Sequence, residues 1–299
     1  MTDAALAGIL LVDKPRGITS NGVVGAARRA LGTRKVGHAG TLDPMATGLL
    51  ILGVGTSTRL LTHLVGLGKT YEATIRLGES TTTDDAEGET IARADASQLD
   101  RAAIDAGVAE LTGEIDQVPS AVSAIKVDGR RAYARVRAGE DVQLTARRVT
   151  VSRFDVLAQR RVDDVVDLDV VVECSSGTYI RALARDLGAG LGVGGHLTAL
   201  RRTAIGPFRV PDAVPVDAIA PATLRTPASI ATALFPSADL DDAQAAALAD
   251  GKRVAVDAPD APIVAAVHRG RLTGVVAVTD GVARVVVNLP TAPAGSVGG

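Results

Sequence analysis

Apolar residues in this chain fall into short runs, and glycine or proline punctuates the gaps between them. Ile9 to Val12 is a continuous apolar run ending at Lys14-Pro15-Arg16-Gly17, which predicts a short strand closed by a turn. Thr19 or Ser20 stands where a helix cap belongs, the helix running to about Leu31 with Gly32 as its stop. Leu49-Leu50-Ile51-Leu52 reads as a buried strand, and Lys69 to Leu77 alternates as a half-buried one. Ser97 predicts the cap of a helix through about Leu111, with Gly113 beyond it. Val165 to Cys174 is a valine-rich strand, Thr178 to Leu187 a helix stopped by Gly188, and Leu197 to Arg209 a returning strand. This alternation predicts a mixed sheet with helices packed on it.

The last third changes character. Thr223 to Pro236 has the proline and threonine content of a linker. Asp241 to Asp250 reads as a short helix stopped by Gly251. Ile263 to Val267, Leu272 to Val278 and Ala283 to Leu289 read as strands, with Arg269-Gly270 and Asp280-Gly281 as their turns. The prediction is a small β-rich domain over 236–290, then a small, Gly/Pro-rich tail over 291–299 expected to be disordered. Asp116 to about Thr150 is basic, poor in long apolar runs and bounded by turn signals, which predicts an excursion from the sheet.

The densest concentration of breakers is Gly37-His38-Ala39-Gly40-Thr41-Leu42-Asp43-Pro44-Met45-Ala46-Thr47-Gly48. Neither a helix interior nor a central strand tolerates it. The segment therefore predicts a tight loop that leads straight into the Leu49 strand and carries Asp43. Loop chemistry alone leaves two readings: the commoner one, in which Asp43 opens an Asp-Pro turn, and one in which the carboxylate is held for catalysis.

Composition narrows the class. At 299 residues the chain has room for one large domain and a small one. Aromatics make up 2% and tryptophan is absent, so the core must be aliphatic. No apolar run approaches a membrane span, and the N-terminus lacks the pattern of a signal peptide, so a cytoplasmic protein is expected. The single Cys174 excludes an internal disulfide and a cysteine-cluster zinc site, and its valine strand marks it as an inert core thiol. His63, His196 and His268 are too scattered for a metal site, and no Gly-rich nucleotide loop or Walker motif is present. Net charge is −2, yet basic residues gather at Arg28, Arg29, Arg34 and Lys35, and again from Lys126 to Arg148. Asp84, Asp85, Glu87 and Glu89 read as an acidic patch. Such asymmetry suits a protein that meets a polyanion on one face.

Gly-His-x-Gly-Thr-Leu-Asp-Pro-x-Ala-Thr-Gly resembles the catalytic box of the TruB family of bacterial tRNA pseudouridine-55 synthases. Further segments match in the same order: Asp13 to Ser20, Lys69 to Ala73, Ser123 to Gly129, Gly177 to Arg181, and Leu200-Arg201-Arg202. The resemblance runs from about Ile9 to Phe208 and departs at Ser120 and Val122, where the family often has a proline and an aromatic residue. It implies an α+β fold with a mixed, mainly antiparallel sheet, a catalytic domain over 1–230 with a basic thumb at about 116–150, and a PUA-like RNA-binding domain over 236–290. It implies isomerisation of uridine-55 in the tRNA T-loop on a flipped-out base, with neither cofactor nor metal, by a monomer whose partner is the T-arm stem-loop.

Residue by residue, the resemblance makes Asp43 the nucleophile, Arg181 its cationic partner and Tyr71 the ring that stacks on uracil. His38 fills the gap left by the extruded base, Tyr179 and Leu200 line the uracil pocket, and Lys14 belongs to the motif that supports the loop and adjoins substrate. Lys126, Arg130, Arg131, Arg147 and Arg148 are the expected phosphate-binding residues. Two other classes compete: a tRNA-binding folding factor acting independently of catalysis, and a glycosidase, which would need a second carboxylate opposite the first. No convincing partner for the latter stands in the sequence.

Overall fold

The computed structural model describes residues 6–120, 126–127, 130–131 and 145–289. The first stretch holds β1 (Gly8–Lys14), α1 (Ser20–Ala30), β2 (Val36–His38), β3 (Thr47–Val54), α2 (Leu61–Val65), β4 (Lys69–Leu77), β5 (Glu79–Thr81) and β6 (Thr90–Arg93). Next come α3 (Arg101–Glu110), β7 (Gly113–Gln117), β8 (Lys126–Val127), β9 (Arg130–Arg131), β10 (Arg147–Val162), β11 (Val165–Cys174), α4 (Ile180–Gly190) and β12 (Gly195–Ile205). The remainder holds β13 (Phe208–Arg209), β14 (Val214–Pro215), α5 (Pro227–Thr232), β15 (Ser237–Asp239), α6 (Asp242–Ala249), β16 (Val254–Ala255), β17 (Ala261–His268), β18 (Arg271–Thr279) and β19 (Val282–Asn288). Contacts group these into two units that interleave in sequence, one of residues 1–44, 49–65 and 207–299, the other of 45–48 and 66–206.

In the first unit, α1 covers β1 and β3. Val23, Val24 and Ala27 of the helix pack with Leu10, Val12, Leu50 and Leu52 in one buried cluster. Thr19 caps α1 by accepting the Gly22 N–H at 2.9 Å, and Gly32 follows the helix in the left-handed region at φ 63°. The C-terminal part forms a five-stranded sheet in the order β15-β17-β18-β19-β16. Its hairpins turn through Arg269-Gly270 and Asp280-Gly281, all at positive φ, as the dipeptides predict. The expected linker is a correction. Residues 227–232 form α5, whose Ala228 and Ala231 are buried with Leu60, Ala265, Val275 and Leu289. Pro227 sits at the first helical turn behind a Thr226 cap, so the composition of a loop here marks a helix start.

In the second unit, β12, β4, β11, β10 and β7 follow one another, each antiparallel to its neighbour. Thr47 and Gly48 pair in parallel with Arg201 and Arg202, which makes the sheet mixed. A Cβ on Gly48 would lie 2.3 Å from the Arg202 carbonyl oxygen, so this approach requires glycine. Alternation along β4 buries Tyr71, Ala73, Ile75 and Leu77, and along β11 it buries Val166, Leu168, Val170, Val172 and Cys174. The α+β architecture with a mainly antiparallel sheet is as expected.

Two helix boundaries differ from the sequence reading. α3 is capped by Asp100, which accepts the Ala103 N–H at 2.7 Å, and not by Ser97. Ser97 is taken up in a turn in which Asp95 accepts its N–H at 2.8 Å. α4 runs past Gly188 to Gly190. Gly188 is a point of close approach, where a Cβ would lie 2.1 Å from the Gly194 carbonyl carbon. The excursion also begins later than expected, because residues 113–117 of β7 pair with residues 147–151 of β10. Within it, β8 pairs with β9. Residues 121–125, 128–129 and 132–144 of the expected thumb lie outside the described residues, as does the expected tail at 291–299.

Candidate active site

Asp43 lies half-buried on an irregular loop, as its breakers predict, and the chain on both sides of it is pinned. On the N-terminal side, the Ser20 hydroxyl accepts the Leu42 N–H at 2.8 Å and donates to the Leu42 carbonyl at 3.0 Å. On the C-terminal side, the Pro44 carbonyl accepts from the Gly17 N–H at 2.8 Å and from the Lys14 ammonium at 3.3 Å. Lys14 is fully buried and donates also to the Pro15 and Ile18 carbonyls, at 3.0 and 2.7 Å. The segment from Lys14 to Ser20 is thus a brace for the residues flanking Asp43. A buried ammonium holds because carbonyl dipoles replace its lost water. His38, in β2, pairs across to Leu52 and is half-buried.

In the second unit, the expected pocket residues lie on three elements that pack against one another, β4, β12 and α4. Tyr71 on β4 lies directly opposite Arg202 on β12, and Ala73 lies opposite Leu200. Residues opposed in this way share a face, so Tyr71, Leu200 and Arg202 all point to one side. Leu77 belongs to that face by alternation. Its side chain and the Ala184 carbonyl both crowd Gly195, which puts α4 over the same side. Tyr71, Leu200 and Arg202 are 7%, 8% and 1% exposed, whereas Tyr179, at the start of α4, is half-buried.

Arg181 is the second residue of α4 and is buried. It forms an ion pair with Asp85 at 3.3 Å and donates to the Thr83 carbonyl at 2.8 Å. Asp85 is 3% exposed and also accepts from the Thr83 hydroxyl at 2.5 Å and the Glu87 N–H at 3.0 Å. This corrects the reading of Asp85 as part of a solvated acidic patch. Sequence reasoning missed it because four acids within six residues look like a surface. Gln117, at the end of β7, is likewise buried and nothing in the sequence singled it out.

Burial sets the chemistry of two further groups. Desolvation, with Arg202 adding to it, lowers the pKa of Lys69 to about 8, and its ammonium donates to the Leu67 carbonyl at 2.6 Å. Burial pushes the Cys174 thiol up to about 11, as suits a core thiol.

The basic residues divide. Arg147 is exposed at the start of β10. Arg148 is exposed too, but forms ion pairs with Glu114 at 3.0 Å and Asp116 at 3.3 Å. Lys126, Arg130 and Arg131 lie in β8 and β9, and their side chains are outside the described residues. His196 is buried with Nδ1 at 2.9 Å from the Glu79 carbonyl, and His268 contacts Asp242 at 2.7 Å. Among the described residues no group of His, Cys, Asp and Glu side chains is arranged to hold a metal ion. No described helix is long and apolar enough to cross a membrane.

The chain is similar to known proteins along most of its length. Residues 28–180 match the TruB family pseudouridylate synthase N-terminal domain, and residues 181–244 match the tRNA pseudouridylate synthase B C-terminal domain. The tRNA pseudouridine synthase B of Leifsonia xyli is 56% identical over 291 residues, covering 95% of this chain and 96% of its own. That of Nocardia farcinica is 60% identical over 249 residues, covering 83% and 81%. Among solved structures, a Cbf5-Nop10-Gar1 complex contains a chain that superposes with a TM-score of 0.70 at 24% identity, over 95% of this chain and 84% of that one. That likeness concerns the fold. With a family match across half the chain and relatives this similar across most of it, the chain belongs to the TruB family of pseudouridylate synthases.

Proposed function

We propose that this chain isomerises uridine-55 in the T-loop of tRNA to pseudouridine, with Asp43 as the nucleophile. The N1–C1′ bond breaks, the uracil turns, and C5 bonds to C1′. C5 gives up its proton and N1 gains one, so no electron is exchanged. Asp43 forms the transient covalent bond with the extruded nucleotide. Tyr71 stacks on the uracil, Leu200 and Tyr179 close the apolar side of its pocket, and Arg181 supplies the fixed cation of the site. His38 takes the place of the extruded base in the loop. The basic residues from Lys126 to Arg148 contact phosphates, and the small β-rich sheet contributes PUA-like RNA binding. The protein acts as a cytoplasmic monomer.

The observation that carries this reading is the double brace on Asp43. Hydrogen bonds, buried on one side and part-buried on the other, fix the residues flanking one half-buried carboxylate, in a chain 56% identical to a tRNA pseudouridine synthase B along 95% of its length. Such fixing keeps a reacting group within the narrow geometry that attack requires. Asp43→Asn tests it on a uridine-containing tRNA transcript. Pseudouridine formation should vanish while tRNA affinity survives, and no free uracil should be released by the wild type. Retained modification rejects Asp43 as nucleophile. A folding factor would keep its effect on tRNA structure in this variant, and released uracil would favour a glycosidase.

A further inference from the structure

We propose that Gln117 is a positioning residue for the isomerisation, acting through the backbone of Tyr179. Gln117 is the last residue of β7 and is 2% exposed. Its amide oxygen accepts the Tyr179 N–H at 2.8 Å, and its amide nitrogen donates to the Tyr179 carbonyl at 3.1 Å. Both ends of one buried side chain therefore hold both polar groups of one peptide residue.

The residue held in this way is the N-cap of α4, and α4 has no side-chain cap of its own. Its carbonyl also accepts the first helical bond, from the Leu183 N–H at 3.2 Å. Gln117 thus fixes the entry of the helix from outside it. A second tie lies one residue further along the same strand end. Arg185, on α4, donates to the Val118 carbonyl at 2.7 Å. Arg181 sits between the two ties. The orientation of the Tyr179 ring and the placement of Arg181 both follow from the helix entry that this amide sets. An apolar side chain of equal size would take this acceptor from the part-buried Tyr179 N–H and let the entry shift.

The proposal rests on the reading of Tyr179 and Arg181 as active-site residues, and the test separates the two. Single-turnover pseudouridine formation is measured with the full chain in excess over a uridine-containing tRNA transcript, beside tRNA affinity and thermal unfolding. Gln117→Met should slow conversion by about ten- to a hundredfold, with tRNA affinity within about twofold of wild type. Gln117→Glu supplies a readout that a purely structural residue would not move. A protonated Glu presents the same acceptor and donor as the amide, whereas an ionised one loses the donor and sets a charge against the Tyr179 carbonyl. Burial raises a carboxyl pKa, so the protonated fraction grows as pH falls. The rate ratio of Gln117→Glu to wild type should rise between about pH 8 and about pH 5.5.

A flat ratio overturns the proposal, also where Gln117→Met fails to fold. A wild-type rate in Gln117→Met, or affinity lost in step with rate, overturns it too. Arg181→Lys is measured in parallel. A near-normal rate there rejects the site reading itself, whereas a slow Arg181→Lys beside a full-rate Gln117→Met rejects Gln117 alone.

Discussion

Lys14 shows how a residue's chemistry follows from its surroundings. Its ammonium has no solvent exposure and donates to the carbonyls of Pro15, Ile18 and Pro44. Lys14→Met keeps the volume and removes the donors, which should cost about 2 kcal/mol for the carbonyls left unsatisfied. Turnover should fall further than stability, because the Pro44 carbonyl adjoins Asp43. Chemical denaturation beside a single-turnover assay checks this, and unchanged turnover would show that the brace is idle. Lys69 behaves differently. Burial lowers its pKa to about 8, against 10.5 for the free side chain, so between those values the unfolded chain binds the extra proton. The folded state therefore gains stability as pH rises through this window. Subtracting the stability of Lys69→Met from that of wild type should give a difference that climbs by up to about 3 kcal/mol from pH 7.5 to 10.5. Urea titrations at a series of pH values would measure it, and a level difference would contradict the burial argument. The sequence made Asp43 legible because glycine and proline surround it, and Lys14 because a motif names it. It hid Asp85 and Gln117, since nothing local distinguishes a surface acid or amide from one that a distant helix draws inward.

At the scale of elements, the strands were read well wherever alternation or a valine run was long. β4 and β11 have the predicted ends because a half-buried strand writes its period into the chain. Helix ends were less legible, since a glycine in sequence does not reveal why it is glycine. Gly188 looks like a stop and is instead the place where α4 meets Gly194 and Gly195. Gly188→Ala should force α4 away from β12 and lower stability by about 3 kcal/mol, as overpacking of a tight backbone contact does. Gly192→Ala, at positive φ with open space around its Cβ position, should cost only about 1 kcal/mol. Equal losses in thermal unfolding would remove the packing explanation. The supposed linker at 223–236 was misread for a related reason. Proline and threonine mark a helix start as readily as a loop, and only the tertiary burial of Ala228 and Ala231 decides between them.

For the whole molecule, the net charge of −2 hides how the individual basic residues are paired. Arg148 already faces Glu114 and Asp116, whereas Arg147 beside it carries no such described ion pair. Arg147→Glu should therefore weaken tRNA binding and reduce the slope of log affinity against log salt by about one phosphate contact, with a smaller change for Arg148→Glu. Binding isotherms over a range of salt would show it, and identical slopes for both variants and wild type would take this strand end out of the RNA footprint. The mainly antiparallel α+β class came from the family resemblance, and only a mixed sheet with packed helices was visible from the order of strands and helices. The grouping into units was not, because residues 1–44 and 207–299 join only through contacts distant in sequence.

The most direct test of Asp43 as nucleophile is a nucleotide-resolution map of pseudouridine in tRNA from cells lacking this gene, restored with either the wild type or Asp43→Asn. The account predicts pseudouridine at position 55 with the wild type, and unmodified uridine there with an Asp43→Asn protein present at equal abundance. Pseudouridine at that position in the Asp43→Asn cells would contradict it.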